Sequence, residues 1–258
     1  MLLAVDIGNT QTVIGLYEGT ELRYMWRLAT DATDTSDELR VKLRGLLTAD
    51  NVDEKAIKGL ALASVVPRLT TSWEDVSRYL FERDAFTVNA RVAGSLFKVN
   101  YGNPDEIGAD RVADTVAAIS LYGAPVMVVD FGTATNIEIV DKDGVFVGGI
   151  IAPGLETSAN ALFNKAARLG AIELVDPQVS IGRNTNEAVQ VGIIYGEADR
   201  VDGLVQRVFN QLGYHMPVVA TGGLASTVAA ASKTITVVNT ELTLEGLRLM
   251  YANKSKQQ

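Results

Sequence analysis

The feature that most constrains the fold of this 258-residue chain is a short motif that occurs twice. Residues 2–10 read LLAVDIGNT and residues 126–135 read VMVVDFGTAT, so Asp6 aligns with Asp130 at an offset of 130 − 6 = 124 residues. In each copy an apolar strand ends in Asp-x-Gly, a small polar turn follows, and a second strand leads to a hairpin turn. Two such hairpins half a chain apart predict duplicated lobes, with the hairpins facing each other over a cleft.

Helical patterns separate the two hairpins and predict an α/β fold with mixed sheets. The apolar spacing predicts helices over 35–49, 68–81, 108–122, 155–168, 185–212, 224–231 and 243–250, and buried strands over 59–66 and 217–221. We place the boundary between the lobes after residue 115, which gives an N-terminal lobe of 1–115 and a C-terminal lobe of 116–258.

Composition excludes several classes of function. The chain has no cysteine and one histidine, so it can form neither a thiolate metal site nor a site with two imidazoles. Its formal net charge is −8 and its basic residues form no cluster, whereas a nucleic-acid-binding surface needs a basic stripe. No signal peptide is recognisable, and no apolar run approaches the roughly 18–20 residues that span a bilayer. We therefore expect a cytoplasmic protein without nucleic-acid or membrane partners.

The turn after the first strand has the properties of a phosphate-binding device. Gly8 allows the backbone to approach a phosphate closely, and residues 9–12 (Asn-Thr-Gln-Thr) offer amides and side-chain donors. Asp6 can orient hydrated Mg²⁺, which prefers one or two carboxylates together with phosphate and water. If the motif occurred once, it could equally be a plain hairpin turn with a capping aspartate and no ligand. Its repetition makes that interpretation less favourable than a phosphate-binding turn.

Two further elements extend this device. In the second copy the hydroxyls of Thr133 and Thr135 replace the donors of the first turn, and we expect them to hold the phosphates from the opposite side. A third element, Thr221-Gly222-Gly223, follows a strand and opens a helix, where a flat base or a ribose can lie against the backbone. Neither a Walker loop nor a Rossmann fingerprint is present.

A candidate acceptor site lies at the start of the helix predicted over 108–122. Asp110 and Arg111 fall in its first turn, where the helix dipole favours an ionised carboxylate. A modest carboxylate base suffices for phosphoryl transfer through a loose transition state, because the acceptor hydroxyl loses its proton late. Adjacent helix residues do not face each other, so Arg111 is better placed to bind an anionic substrate than to neutralise Asp110. On spacing alone, an acid that merely stabilises a helix N-terminus is the alternative.

The glycine elements in this order resemble the ASKHA superfamily of sugar kinases, acetate kinase, Hsp70 and actin, in which ATP lies between two ribonuclease-H-like lobes. Further motifs make the chain similar to type III pantothenate kinases over nearly its whole length. They are DIGNT (6–10), GADR (108–111), DFGTAT (130–135), GGIIAPG (148–154), IGRNT (181–185), GIIYG (192–196), TGGLA (221–225) and LTLEGL (242–247).

The resemblance implies a kinase that uses ATP to phosphorylate pantothenate to 4′-phosphopantothenate, the first step of coenzyme A biosynthesis, and that acts as a homodimer. It implies that ATP is contacted by Asp6, Ile7, Gly8, Asn9, Thr10, Gln11, Thr12, Val13 and Thr133. It implies that Asp110 is the general base and that pantothenate is bound by Tyr101, Gly108, Ala109, Asp110, Arg111 and Thr185, the last from the neighbouring subunit. Asp6 would hold Mg²⁺ through water, and Asp130 would bind K⁺ or NH₄⁺.

Three positions depart from the pattern of the family. Asn136 stands where members often carry threonine, Glu138 where they carry aspartate, and Gly170 where a proline is expected. The first two bear on cation or nucleotide affinity.

Two other interpretations stay open. One is a non-catalytic nucleotide-binding regulator of the same fold, and the other is an ASKHA kinase for another small alcohol or acid. The presence of Asp6, Asp110, Arg111 and Asp130 together favours the enzyme, because a binding module has no need for all four.

Overall fold

The structure is a computed structural model that describes residues 1–165 and 172–254. The strands are β1 (Leu2–Ile7), β2 (Gln11–Glu18), β3 (Glu21–Ala29), β4 (Gly59–Ser64), β5 (Phe86–Thr87), β6 (Lys98–Val99), β7 (Val126–Phe131), β8 (Ala134–Val140), β9 (Val145–Pro153), β10 (Val218–Thr221) and β11 (Val237–Val238). The helices are α1 (Ser36–Ala49), α2 (Pro67–Phe81), α3 (Ala109–Tyr122), α4 (Leu155–Lys165), α5 (Thr185–Gln190), α6 (Gly196–Leu212), α7 (Ala225–Ala229) and α8 (Leu242–Lys254), and a π-helix, Val191–Tyr195, links α5 to α6.

The chain divides into two compact units that share one sheet topology. Unit 1 comprises Met1–Ser120 and the segment that begins at Leu242, and unit 2 comprises Leu121–Glu241. In unit 1 the strand order is β3-β2-β1-β4-β5, with β1 antiparallel to β2 and parallel to β4. In unit 2 the order is β9-β8-β7-β10-β11, with β7 antiparallel to β8 and parallel to β10. The predicted duplication is confirmed, and each Asp-x-Gly turn follows the middle strand of these five.

Local sequence signals determine where α1 begins. The side chain of Thr35 accepts a hydrogen bond from the backbone N–H of Glu38, and the Glu38 carboxylate accepts one from the N–H of Thr35 at 2.8 Å. This reciprocal capping box satisfies two donors that the helix itself leaves without partners. Behind it Leu39, Leu43 and Leu47 are buried at helical spacing, so the helix predicted over 35–49 is confirmed.

The core of unit 1 lies on one face of its sheet. Successive residues of a strand point to opposite faces, so Leu3, Val5 and Ile7 of β1 share the face that packs against α1 and α2. Trp73 of α2 is completely buried in this cluster. Asp6 therefore lies on the other face of β1.

Unit 2 repeats this arrangement around β7. Met127, Val129 and Phe131 form a core cluster with the buried residues Val201 and Val205 of α6. The side chain of Asp130 consequently points to the face opposite α6.

Helix α8 packs onto unit 1 at three glycines. A β-carbon at Gly15 of β2 would lie 2.9 Å from Leu244, and one at Gly59 of β4 would lie 2.0 Å from the hydroxyl of Tyr251. A β-carbon at Gly246 would lie 2.0 Å from the backbone carbonyl of Ala113 in α3. At Gly246 the backbone of α3 leaves no room for a side chain, whereas at Gly15 and Gly59 a larger residue would displace Leu244 and Tyr251.

The division into units differs from the predicted lobe boundary in two respects. Helix α3 runs through residue 115 without interruption, and the division falls at Ser120. Helix α8 belongs to unit 1, not to the lobe that precedes it in sequence, because it packs against β1 and β4. A repeated hairpin locates the two sheets but carries no information on which sheet a later helix covers.

The remaining helices appear with shifted ends. Helix α4 ends at Lys165 among the described residues, and positions 166–168 of the predicted helix, as well as Gly170, lie outside them. The predicted helix over 185–212 is continuous but contains the π-helical turn. Helix α7 is shorter than predicted and α8 is longer. Within the ranges that the structure describes, no helix is long and apolar enough to cross a membrane.

Candidate active site

The turn between β1 and β2 is short and tightly closed. Ile7 and Thr12 form the last pair of the ladder, and the N–H of Gly8 donates to the carbonyl of Gln11 at 3.0 Å. A β-carbon at Gly8 would lie 3.0 Å from that same oxygen, so a side chain would force the turn to open. Residues 9–11 are exposed, which leaves their amides and side chains at the surface of the turn.

Thr12 does not offer its side chain to the turn, contrary to the prediction from sequence. Thr12 is 4% exposed, and its hydroxyl lies 2.9 Å from the hydroxyl of Thr30. The reason is the alternation of side chains along β2, which places Thr12 on the face that also holds Ile7 and the helices. The side-chain donors of this turn are therefore limited to residues 9–11.

Helix α3 brings Asp110 to the same edge of the unit 1 sheet as this turn. Because β1 and β4 are parallel, their carboxyl ends share one edge, and the N–H of Val65 donates to the carbonyl of Ile7 at 3.1 Å. A β-carbon at Gly108, directly before α3, would lie 3.7 Å from Cγ1 of Val65. The carboxyl edge of parallel strands is the usual place for ligands in α/β sheets. The predicted base and the first phosphate turn thus lie at one such edge.

The carboxyl group of Asp110 is half-buried and folds back towards Gly108. Its Oδ1 accepts a hydrogen bond from the N–H of Arg111 at 2.8 Å and would lie 2.3 Å from a β-carbon at position 108, so a side chain there would displace the carboxylate. Burial raises the pKa of the Asp110 carboxyl above its usual value, although the N–H and the positive charge of Arg111 oppose this rise. The helix dipole alone would favour the ionised form, and burial outweighs it. A raised pKa makes the ionised carboxylate a stronger proton acceptor.

The loop before α3 is held by its own polar side chains. The side chain of Asn103 accepts from the N–H of Asp105, and the guanidinium of Arg91 donates to the Asp105 carboxylate at 2.7 Å. Tyr101 lies in this loop and is 41% exposed, whereas Arg111 in α3 is buried. The loop therefore presents an aromatic side chain to solvent close to the start of α3.

The turn between β7 and β8 is one residue shorter than the first. Phe131 pairs with Thr135, whereas Ile7 pairs with Thr12, so the offset falls from 131 − 7 = 124 to 135 − 12 = 123 across the turn. The N–H of Gly132 closes it by donating to the carbonyl of Ala134 at 3.0 Å. The two turns are thus similar in design but not superimposable residue by residue.

Thr133 lies at the exposed tip of this second turn, and its backbone is fixed. The carbonyl of Thr133 accepts hydrogen bonds from the N–H of Gly154 at 3.1 Å and from the hydroxyl of Thr157 at 2.6 Å. A β-carbon at Gly154 would lie 2.3 Å from the carbonyl oxygen of Gly132, so the GGIIAPG motif ends in the one residue type that fits. The backbone of the turn is consequently held by two hydrogen bonds where it meets solvent.

Thr135 is placed differently from the prediction that its hydroxyl binds phosphate. The residue is 2% exposed, and its hydroxyl donates to the carboxylate of Glu197 in α6 at 2.6 Å. Since Thr135 pairs with Phe131, it lies on the face of the sheet that α6 covers. Its proton is therefore committed to Glu197, a residue that sequence reasoning missed.

Gly222 packs directly against the end of β7. Thr221 pairs with Asp130, and a β-carbon at Gly222 would lie 2.6 Å from Oδ1 of Asp130 and 2.5 Å from the carbonyl of Phe131. Gly222 also has a φ of +92°, which side-chain-bearing residues rarely adopt. A carboxylate oxygen and a carbonyl oxygen thus converge where Gly222 leaves room, and such hard oxygen donors fit a monovalent cation.

A depression of about 370 Å³ with both apolar and acidic side chains in its lining lies beside this third glycine element. Phe163, Ile172, Leu174 and Leu224 contribute to its lining. Leu224 directly follows the two glycines, so the depression adjoins the turn for which the sequence predicts a base or ribose. Among the described residues no group of three or more potential metal-ligating side chains occurs, so any divalent ion here would depend on single carboxylates, water and phosphate.

Thr185 occupies the exposed first position of α5. Asn184 caps this helix by accepting from the N–H of Glu187 at 3.0 Å, and the Glu187 carboxylate accepts from the N–H of Arg183 at 2.7 Å. A β-carbon at Gly182 would lie 2.3 Å from the N atom of Ala188. The IGRNT motif thus builds a helix N-terminus that presents Thr185 to solvent.

The two departures from the family pattern both lie on β8. Asn136 pairs with Asp130, so the two residues are neighbours on one face of the sheet. Glu138 shares this face and is completely buried. Asn136 is therefore the departure that lies next to the candidate cation site.

Comparison with solved structures defines the class of protein. The chain resembles the activator of 2-hydroxyisocaproyl-CoA dehydratase from Clostridium difficile, solved with bound ADPNP (TM-score 0.57, 16% identity, covering 99% of this chain and 96% of that one). It also resembles the ROK hexokinase from Thermus thermophilus (TM-score 0.53, 13% identity, covering 100% and 99%). Together with the two equivalent sheets and their Asp-x-Gly turns, this shows an ASKHA, or actin-like, fold.

Comparison of sequences identifies the family. The family model described as type III pantothenate kinase matches residues 2–207. The type III pantothenate kinase of Roseiflexus sp. (strain RS-1) is 45% identical over 251 residues, which cover 97% of this chain and 98% of the relative. That of Brevibacillus brevis is 43% identical with the same coverage. The chain belongs to the type III pantothenate kinase family.

Proposed function

We propose that this chain catalyses the ATP-dependent phosphorylation of pantothenate to 4′-phosphopantothenate, the first step of coenzyme A biosynthesis. The observation that carries the proposal is the match to type III pantothenate kinases over nearly the full length. The geometry of unit 1 supports it, because a half-buried carboxylate with a raised pKa lies at the same sheet edge as a phosphate-type turn. The enzyme is a kinase and works with ATP and a divalent metal ion.

Asp110 is the general base in this proposal. Its carboxylate accepts the proton of the pantothenate 4′-hydroxyl, while the hydroxyl oxygen forms a bond to the γ-phosphorus of ATP and the bond from that phosphorus to the ADP oxygen breaks. The raised pKa strengthens the proton acceptor, and the contact with the Arg111 N–H holds its orientation. Most of the rate enhancement comes from positioning and charge stabilisation.

Nucleotide binding is assigned to the two turns. Residues 6–13 contact the ATP phosphates, chiefly through the exposed segment 9–11, and Thr133 contributes from the second turn. Asp6 holds Mg²⁺ through water, and Asp130 with the Phe131 carbonyl holds K⁺ or NH₄⁺. When bound, these cations neutralise the negative charge of the phosphates. Without them the net charge of −8 on the chain would repel the nucleotide.

Pantothenate binding is assigned to the start of α3 and the loop before it. Tyr101 and the segment 108–111 form the pocket, with Arg111 as the group that suits the carboxylate of the substrate. Thr185 contributes from the neighbouring subunit of a homodimer. The cytoplasmic location expected from sequence stays a prediction.

The direct test is a coupled assay of ADP release, with phosphopantothenate identified by mass spectrometry. Wild-type protein is expected to release ADP only when ATP, pantothenate, Mg²⁺ and K⁺ or NH₄⁺ are all present. Asp110→Asn is expected to lower kcat by at least about 10²-fold while ATP still binds, since a positioned base contributes about 10²–10⁴-fold. Asp37→Asn is the matched control, because Asp37 holds the same position in α1 and its side chain is 79% exposed.

The outcomes separate the remaining interpretations. Turnover with another alcohol or acid but not with pantothenate would indicate a different ASKHA kinase. Nucleotide binding without turnover on a panel of such acceptors would indicate a regulator. Near-wild-type activity of Asp110→Asn would reject the base assignment.

A mixing experiment tests the contribution of Thr185 across the dimer. Asp110→Asn and Thr185→Ala subunits, mixed and re-associated at equal amounts, form a mixed dimer with one intact site if Thr185 acts in trans. Random pairing then restores about a quarter of wild-type activity. No gain over the separate variants would place Thr185 in the same subunit as its base or outside the site.

A further inference from the structure

Three polar contacts hold the second phosphate turn. The carbonyl of Thr133 accepts from the N–H of Gly154 and the hydroxyl of Thr157, and the third contact runs from the hydroxyl of Thr135 to Glu197 at 2.6 Å. The first two contacts come from the β9–α4 junction, next to the turn in the fold. The third comes from α6, and it is made by a charged side chain.

Glu197 is unusual in its surroundings. It is 5% exposed and lies on the face of α6 that carries Val201 and Val205, at a spacing of four residues. A carboxylate in such an apolar stripe is costly unless its oxygens have partners. Its partners are the Thr135 hydroxyl and the guanidinium of Arg200, with which it forms an ion pair.

Arg200 extends the network to the other side of the turn. Its Nη2 donates to the carbonyl of Pro153 at 2.8 Å, and Pro153 directly precedes Gly154, whose N–H binds the Thr133 carbonyl. One carboxylate on α6 is therefore linked to both attachments of the turn, directly through Thr135 and indirectly through Arg200. A π-helical turn directly before α6 precedes Glu197 by two residues, and such turns are frequent at functional sites.

We propose that Glu197 is a positioning residue for the binding of ATP. Through Thr135 it holds the Gly132–Thr133 turn in its phosphate-binding conformation, and through Arg200 it holds the β9–α4 junction. The proposal rests on the assignment of Thr133 to the ATP site. Glu197 does not touch substrate, because its carboxylate is occupied by Thr135 and Arg200 in the interior of unit 2. Its loss should affect the nucleotide and leave the acceptor alone.

The test is a mutant cycle between Thr135 and Glu197, read as the KM for ATP and the KM for pantothenate. Thr135→Val preserves shape and removes the hydroxyl, and Glu197→Leu removes the acceptor. Each is expected to raise the KM for ATP about tenfold, since a hydrogen bond to a charged group is lost and the turn is no longer preorganised. The KM for pantothenate should change less than about twofold.

The double variant and a conservative variant make the result specific. If the hydroxyl acts through Glu197, the double variant should be no worse for ATP than either single variant. Thr135→Ser keeps the donor and should return the KM for ATP to near the wild-type value. Additive effects, or an equal rise in both KM values, would overturn the proposal.

Two controls separate stability from positioning and this proposal from the site assignment. Asp202→Asn alters another acid of α6, whose carboxylate binds Ser232 and Thr234 instead, and should lower the melting temperature without changing the KM for ATP. Thr133→Val should raise that KM if the turn binds ATP. An unchanged KM in Thr133→Val refutes the ATP assignment, whereas a raised KM there with unchanged values in Thr135→Val refutes only the role of Glu197.

Discussion

Replacing Gly222 by alanine tests the contact between the third glycine element and the end of β7. The new methyl group would lie 2.5 Å from the Phe131 carbonyl oxygen and 2.6 Å from Oδ1 of Asp130. The Phe131 carbonyl cannot move away easily, because Phe131 is paired with Thr135 in the sheet, whereas the Asp130 carboxylate would have to rotate. The backbone at Gly222 also has a φ of +92°, where alanine is strained.

The magnitude follows from these two terms. A left-handed backbone conformation costs a residue with a β-carbon about 1–2 kcal/mol. Overpacking against an immobile neighbour adds about 1–3 kcal/mol. The free energy of unfolding should therefore fall by about 2–5 kcal/mol, which lowers the melting temperature by about 5–15 °C for a protein of this size.

The assay compares Gly222→Ala with Gly223→Ala. A β-carbon at Gly223 meets no atom within 4 Å, and its φ is not in the left-handed region, so that variant should be close to wild type in melting temperature and urea midpoint. Gly222→Ala should in addition need a higher K⁺ concentration for half-maximal activity, because its methyl group occupies the space between Asp130 and Phe131. Equal stability of the two variants would refute the close packing that the structure shows.

Three further predictions concern charge. Burial raises the pKa of Asp110, so its ionised form destabilises the folded state. Asp110→Asn should therefore raise the melting temperature at neutral pH. In melts from about pH 8 to about pH 4, this gain should vanish as the pH falls through the raised pKa towards the usual value of 3.8. The kcat/KM for pantothenate should fall as pH drops through that same raised pKa, and an acid limb at or below the ordinary aspartate value would contradict it. Lys42→Met removes both hydrogen bonds to the buried carboxylate of Asp34 and should lower the free energy of unfolding in urea by about 1–3 kcal/mol. Lys58→Met, at an exposed position, should change it little. Equal losses in the two variants would contradict a stabilising role of the pair between Lys42 and Asp34.

Much of the fold can be predicted from local patterns. The Asp-x-Gly turns, the capping box at Thr35 and the apolar spacing of α1 depend on residues a few positions apart, which a sequence displays directly. The repeat at Asp6 and Asp130 predicts the duplication, and the matching sheet orders confirm it. The family motifs then identify Asp110 and the acceptor loop as candidates.

The features that were missed depend on contacts between distant residues. Thr135 and Glu197 are 62 positions apart, and the sequence does not show which face of β8 the threonine occupies. The same alternation along a strand turns Thr12 away from the first turn. A signal for Glu197 was nevertheless present, since an acid stands four residues before Val201 and eight before Val205 in an otherwise apolar stripe. The raised pKa of Asp110 could not be foreseen either, because burial is a property of the tertiary structure.

The position of α8 has a consequence for biosynthesis. A ribosome makes the five strands of the first sheet long before it makes α8, and the whole of unit 2 is translated in between. The hydroxyl of Thr243 donates to the carboxylate of Asp114, 129 positions earlier in the chain. Gly15 and Gly59 of the sheet contact Leu244 and Tyr251 of α8, which are synthesised much later. Unit 2 has all of its own strands and helices at an earlier stage of translation. During vectorial synthesis the nascent N-terminal sheet therefore lacks the helix that covers this face until α8 emerges.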